Sequence, residues 1–142
     1  IIYCGVQQFQ STIDLRKFDT NNTLNLEPGE YPTIISNSWS MSNNLGIAFN
    51  VIIENVLGGI GKDSISGNTA VNSIAGNSGH DTIDGKTGDD IIEGGLGNDK
   101  LTGGAGYDIF KYSKGDGNDT ILDFNSAVDQ IKYSGFFCIR KI

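Results

Sequence analysis

From Gly58 to Lys111 the chain divides, without one insertion, into six units of nine residues: GGIGKDSIS, GNTAVNSIA, GNSGHDTID, GKTGDDIIE, GGLGNDKLT and GGAGYDIFK. Position 8 of the unit is always apolar: Ile65, Ile74, Ile83, Ile92, Leu101 and Phe110. Position 6 is Asp63, Asn72, Asp81, Asp90, Asp99 and Asp108, five acids of six. The register runs backwards as well, with Val56 and Ile47 at position 8 and Glu54 at position 6. A strict short period of this kind means stacked repeats.

The letters of the unit dictate its shape. One apolar side chain per nine, flanked by small polar ones, suits a three-residue strand with a single inward position. The six residues before it are rich in glycine and reach the backbone angles of a tight turn. One unit buries almost nothing, but stacked units bury a continuous row of Ile and Leu. Helix is excluded on cost, because each Gly in a helix interior costs about 1 kcal/mol. The expected fold is all-β: a parallel β-roll, a two-sheet solenoid of nine-residue repeats. Units one, three and five form one sheet and units two, four and six the other. Residues 1–57 are expected to be lead-in strands packing on the roll, 58–123 the roll itself, and 124–142 a truncated cap. With 142 residues these make one domain.

Stacking brings the acids together. Neighbouring strands lie about 4.8 Å apart, so Asp63, Asp81 and Asp99 form one row at that rise, and Glu54, Asn72, Asp90 and Asp108 the other. Like charges at that distance repel by roughly 1 kcal/mol in water and roughly 3–4 kcal/mol at an effective dielectric near 20. A divalent cation between turns reverses the sign. Carbonyl-rich turns offer the six to eight oxygens that Ca²⁺ takes, whereas Mg²⁺ is smaller and keeps its waters. The alternative is a metal-free solenoid with solvated acids, which has no reason to put them in the stacking row.

At these residues the chain resembles the RTX family, whose repeat GGxGxDxUx binds calcium in a β-helix. VIIENVLGGIGKD (51–63), GDGNDTILDF (115–124), TIDLRKF (12–18) and TLNLEPGEY (23–31) resemble the carboxy-terminal β-roll domain of serralysin-type metallopeptidases. The resemblance covers about residues 12–135 and implies calcium ions between the turns of units i and i+2. Their ligands would be the carbonyls at positions 2 and 4 and the carboxylate at position 6. It assigns Gly59, Gly61 and Asp63 in the first unit, then Asn77, Gly79 and Asp81, then Lys86, Gly88 and Asp90. Gly95, Gly97 and Asp99, and Gly104, Gly106 and Asp108, follow in the last two units. Ahead of the repeats it points to the carbonyl of Ile52 and to Glu54, and after them to Asp119 and Asp123 as closing the last site.

The second unit departs from the pattern with Asn68, Ala70 and Asn72. Ala at a left-handed position costs roughly 1–2 kcal/mol, so its site is expected to be the weakest. Both termini also depart from the family, IIYCGVQQFQ at the start and GFFCIRKI at the end. Together with an opening Ile rather than Met, they point to a fragment or a truncated copy lacking the type I secretion signal.

A net charge of −7 argues against nucleic acid and anionic membranes, and no apolar run is long enough to span a bilayer. The start has no basic flank or cleavage pattern of a signal peptide. Cys4 and Cys138 permit one bridge and prove none. His80 is the single histidine, which cannot build a His-rich zinc site, and there is no HExxH motif. His80 reads as a solvent-facing turn residue, Trp39 as a small-core residue, and Tyr107, Tyr112 and Tyr133 as cover for the carboxy-terminal end.

The chain itself is therefore expected not to be an enzyme. It reads as an extracellular calcium-binding module of a secreted serralysin-like metallopeptidase, folding on calcium after export. Its partners would be calcium ions, a covalently linked upstream catalytic domain and a type I secretion apparatus. The competing reading is a recognition or adhesion RTX module of a secreted carbohydrate-active or surface protein.

Overall fold

The computed structural model describes residues 11–28 and 52–135. Its strands in chain order are β1 (Thr12–Asp14), β2 (Thr23–Asn25), β3 (Asn55–Leu57), β4 (Ser64–Asn68), β5 (Ser73–Ala75) and β6 (Ser78–Gly79). Then come β7 (Thr82–Lys86), β8 (Ile91–Glu93), β9 (Leu96–Gly97), β10 (Lys100–Thr102), β11 (Ile109–Ser113), β12 (Thr120–Ile121) and β13 (Gln130–Ser134).

Successive strands fall into opposite sheets, as a two-strand coil requires. One sheet has the order β1-β3-β5-β8-β11-β13 and the other β12-β10-β7-β4-β2. All pairings are parallel, and the register follows the repeat: Leu24, Ile65, Ile83, Leu101 and Ile121 stack in one sheet. Ile13, Val56, Ile74, Ile92, Phe110 and Ile131 stack in the other. The expected β-roll, with odd units in one sheet and even units in the other, is the observed fold. The two-residue strands β6 and β9 join two turns in a small sheet of their own.

The core is the position-8 row seen from both sides. Ile65, Ile74, Ile83, Ile92, Leu101 and Phe110 are each at most 2 % exposed, joined by Ile13, Leu24 and Val56. Each such side chain stabilises the fold by roughly 1.5–3 kcal/mol. Leu15, Leu26 and Ile53 add a layer outside the strict period. At the carboxy-terminal end Phe124 packs on Phe110 with ring centroids 6.2 Å apart, and Tyr112 stacks on Tyr133 at 5.9 Å. Tyr107 stays exposed on its turn, where its hydroxyl accepts from Gln130 Nε2. Strand β13 is exposed along its whole length.

Among the described residues no helix is long and apolar enough to cross a membrane. Cys4, Trp39, Ile47 and Cys138 lie outside the described residues.

Candidate metal centre

The turns sit at the two edges of the roll, and each delivers its position-6 side chain inward. Asp63, Asp81, Asp90, Asp99 and Asp108 are at most 1 % exposed and Asn72 is fully buried. These side chains connect coils. One carboxylate oxygen accepts the backbone N–H of the position-6 residue one coil upstream: Asp63 N–H to Asp81 Oδ1 at 2.8 Å, and Asp81 N–H to Asp99 Oδ1 at 2.7 Å. In the other row Asn72 N–H donates to Asp90 Oδ1 at 2.7 Å and Asp90 N–H to Asp108 Oδ1 at 2.9 Å. Asp119 and Asp129 continue the two rows, receiving Asp99 N–H and Asp108 N–H.

The second oxygen is the chemically telling one. Oδ2 of Asp81, Asp90, Asp99 and Asp108 is buried with no hydrogen-bond partner. Each lies over the first glycine of its own unit, Gly76, Gly85, Gly94 or Gly103, where a Cβ would collide with it. Loss of hydration pushes the Asp81 and Asp90 carboxyls up to about 7, and the neighbouring carboxylates add to the shift. Burial also raises those of Asp99, Asp108 and Asp119. Four desolvated carboxylate oxygens without a donor are costly groups, and a buried anion is tolerated only when paired, protonated or bound to metal.

The backbone of the same turns is bent to match. Position 2 is left-handed at Asn77 (φ 71°), Lys86 (φ 80°), Gly95 and Gly104, and position 4 has positive φ at Gly79, Gly88, Gly97 and Gly106. At Gly97 (φ 148°) the constraint is double, since a Cβ would also strike the carbonyl of Gly79. The position-2 carbonyls of Asn77 and Lys86 accept N–H groups of Leu96 and Ala105 in the next coil, which draws successive turns together. Among the described residues no three His, Cys, Asp or Glu side chains converge. Beside the carboxylates the turns offer backbone carbonyl oxygens, the kind of donor an ion of high coordination number takes. The turns of units three to six fit calcium: an unpaired anionic oxygen each, carbonyl-rich backbone and no room for a side chain at the first glycine.

Units one and two are built differently. Gly59, Gly61, Asn68 and Ala70 are not in the left-handed region, so the strain expected at Ala70 does not arise. There the position-2 N–H folds back on the position-6 side chain: Gly59 N–H to Asp63 Oδ2 at 2.7 Å and Asn68 N–H to Asn72 Oδ1 at 2.9 Å. Asp63 Oδ1 accepts both the N–H and the Nδ2 of Asn22, each at 2.8 Å. Glu54 turns its carboxylate to Ser11 N–H at 2.7 Å. Ile52 is exposed, and the carbonyl that meets the second turn is that of Ile53. Asp123 spends both oxygens on the N–H groups of Gly103 and Gly104. His80 is solvent-facing, with Nδ1 accepting Asn98 N–H.

Asn22 and Asp129 join the rows beyond the first expectation, and the expected Asp119 sits in a further turn of the same kind. Asn22 precedes β2 as Asp63 precedes β4, and residues 114–122 (KGDGNDTIL) form a seventh turn with positive φ at Gly115 and Gly117. The seventh was masked by two extra residues, which put Asp119 20 residues rather than 18 beyond Asp99. Its GxGxD signature was the available signal.

Residues 5–141 match the model of the peptidase M10 serralysin C-terminal family. The chain belongs to that family. No curated protein matches it. The family is that of the carboxy-terminal part of serralysin-type proteases, a part distinct from their catalytic domain.

Proposed function

We propose that this chain is the calcium-binding β-roll module of a secreted serralysin-like metallopeptidase, and that calcium outside the cell drives its folding after export. The observation that carries the reading is the set of four buried carboxylate oxygens, on Asp81, Asp90, Asp99 and Asp108, that no protein donor reaches. Bound calcium would supply the positive charge these oxygens lack.

The chain's own residues do the rest. Asp81, Asp90, Asp99 and Asp108 present the anionic oxygen while their other oxygen holds the preceding coil. The carbonyls of Asn77, Gly79, Lys86, Gly88, Gly95, Gly97, Gly104 and Gly106 complete the oxygen set, and Asp119 extends one row. Where calcium is scarce the carboxylates remain uncompensated and the coils separate. Where it is plentiful, binding to the folded state alone stabilises that state by mass action. A chain that folds only outside the cell suits export ahead of, or joined to, a catalytic domain and through a type I apparatus.

The test is far-UV circular dichroism of the pure chain at pH 7.5. Little β signal in EDTA, a cooperative gain with millimolar Ca²⁺ and none with equimolar Mg²⁺ is the expected result. Equal β content in EDTA and in calcium would overturn the reading.

A further inference from the structure

The second turn lacks the left-handed backbone and the orphan anionic oxygen that make its successors fit a cation. Asn72 is neutral; of the two acids flanking it in the row, Glu54 turns its carboxylate to Ser11 N–H and Asp90 commits Oδ1 to the Asn72 N–H. What fills the turn is a pair of buried carboxamides, Asn68 at 1 % and Asn72 at 0 % exposure. Asn68 Nδ2 donates to the Ile53 carbonyl at 2.9 Å and to that of Leu26 at 3.4 Å. Asn72 Nδ2 donates to the same Ile53 carbonyl at 3.1 Å and to Asn68 Oδ1 at 3.3 Å. Asn68 Oδ1 accepts Ala70 N–H at 2.8 Å, and Asn72 Oδ1 accepts Asn68 N–H at 2.9 Å. No polar atom of either amide is left over, in contrast to the orphan oxygens of the later turns.

Calcium affinity in an oxygen cage rests on its charged ligands. Here the donors already pull the carbonyls inward, and a cation would have to displace two NH₂ groups from the Ile53 carbonyl without gaining a carboxylate from the turn itself.

We propose that the turn of the second repeat takes no cation: the carboxamides of Asn68 and Asn72 close it around the carbonyl of Ile53, and the cation-dependent part of the roll begins beyond it. The calcium reading of the later turns is the background to this assignment, but the clamp itself stands on its hydrogen bonds. It gives the roll one turn whose side-chain hydrogen bonds need no cation, against which calcium-dependent coils can stack.

The experiment counts calcium ions per chain by equilibrium dialysis on the full-length parent, Asn72→Ala and Asp81→Ala, with thermal melts at saturating calcium. Asn72→Ala is expected to bind as many ions as the parent while melting at least about 5 °C lower, since it leaves the buried Asn68 N–H without its acceptor and removes two donated bonds of the clamp. Asp81→Ala is expected to bind fewer. Loss of an ion in Asn72→Ala would overturn the proposal. Should that variant not fold, the parent decides: at saturating calcium the side-chain NH₂ protons of Asn68 and Asn72 should exchange slowly in ¹⁵N-edited NMR. Free exchange of both refutes the clamp. A parent that binds no calcium defeats the calcium reading alone, and the NH₂ exchange then still judges the clamp.

Discussion

Acid should do part of what calcium does. Folding strips water from Asp81 and Asp90, which pushes their carboxyls up to about 7, well above the roughly 4 of a free aspartate. Between those values the folded state holds protons that the unfolded chain has released. Stability therefore falls as pH rises through about 4 to 7, and the whole contribution is gone above that window. Going from pH 7.5 down to pH 5 restores about 2.5 kcal/mol for each side chain, or about 5 kcal/mol for the pair if they titrate independently. That is a large part of the 5–15 kcal/mol that usually separates folded from unfolded. In EDTA, far-UV circular dichroism should accordingly report more β structure at pH 5 than at pH 7.5. The comparison is made at low protein concentration with light scattering recorded, because the isoelectric point is near 4.4. The double variant Asp81→Asn, Asp90→Asn keeps an acceptor for the upstream N–H and removes the titrating oxygen, so most of this pH dependence should vanish. A parent whose β signal in EDTA is flat, or falls, between pH 7.5 and pH 5 would refute the argument that desolvated carboxylates hold the metal-free coils apart.

Asp81→Ala, which also uncaps Asp63 N–H, should raise the calcium midpoint of folding several-fold and lower its cooperativity in a titration at fixed ionic strength. Gly97→Ala should cost at least about 2 kcal/mol in urea unfolding at saturating calcium, because the new Cβ meets the Gly79 carbonyl at a positive φ. Lys86→Gly should raise the melting temperature by a few degrees, since Lys86 holds φ 80° at a cost of roughly 1–2 kcal/mol and its ion pair with Asp84 is half exposed. Ile92→Ala, at a fully buried position 8, should destabilise by about 2–5 kcal/mol without changing the number of calcium ions bound.

The architecture was legible because period and burial coincide. A residue that must point inward once per nine leaves its mark at Ile65 and every ninth place after it, and the alternation between two sheets follows from parity. The acid rows were legible for the same reason. What the letters hid was the division of labour within each carboxylate, since nothing in an Asp reveals that one oxygen is committed to an N–H 18 residues upstream. The change of turn type between Asn72 and Gly76 was half visible. Asn68 and Asn72 read as a degraded site, whereas their amides make a different and self-sufficient turn. Ala70 read as strained only because the turn was assumed to share its neighbours' backbone. Asn22 was overlooked because β2 lies in an irregular lead-in with no nine-residue frame; Asp119 was expected to close the last site, but its stretch did not read as a seventh unit because Tyr112 and Ser113 break the count.

The back-reaching carboxylates also give the roll a direction. Every position-6 N–H from Asp63 to Asp108 is covered by a side chain belonging to the coil that follows it, never by its own. A coil is thus incomplete until its successor arrives. Cutting the roll from the amino-terminal side bares acceptors that water can serve, while cutting it from the carboxy-terminal side strands donors that were roofed by the part removed. Growth from the first coil onwards keeps only one such open face at any moment, like a staircase in which each tread is pinned by the one laid after it.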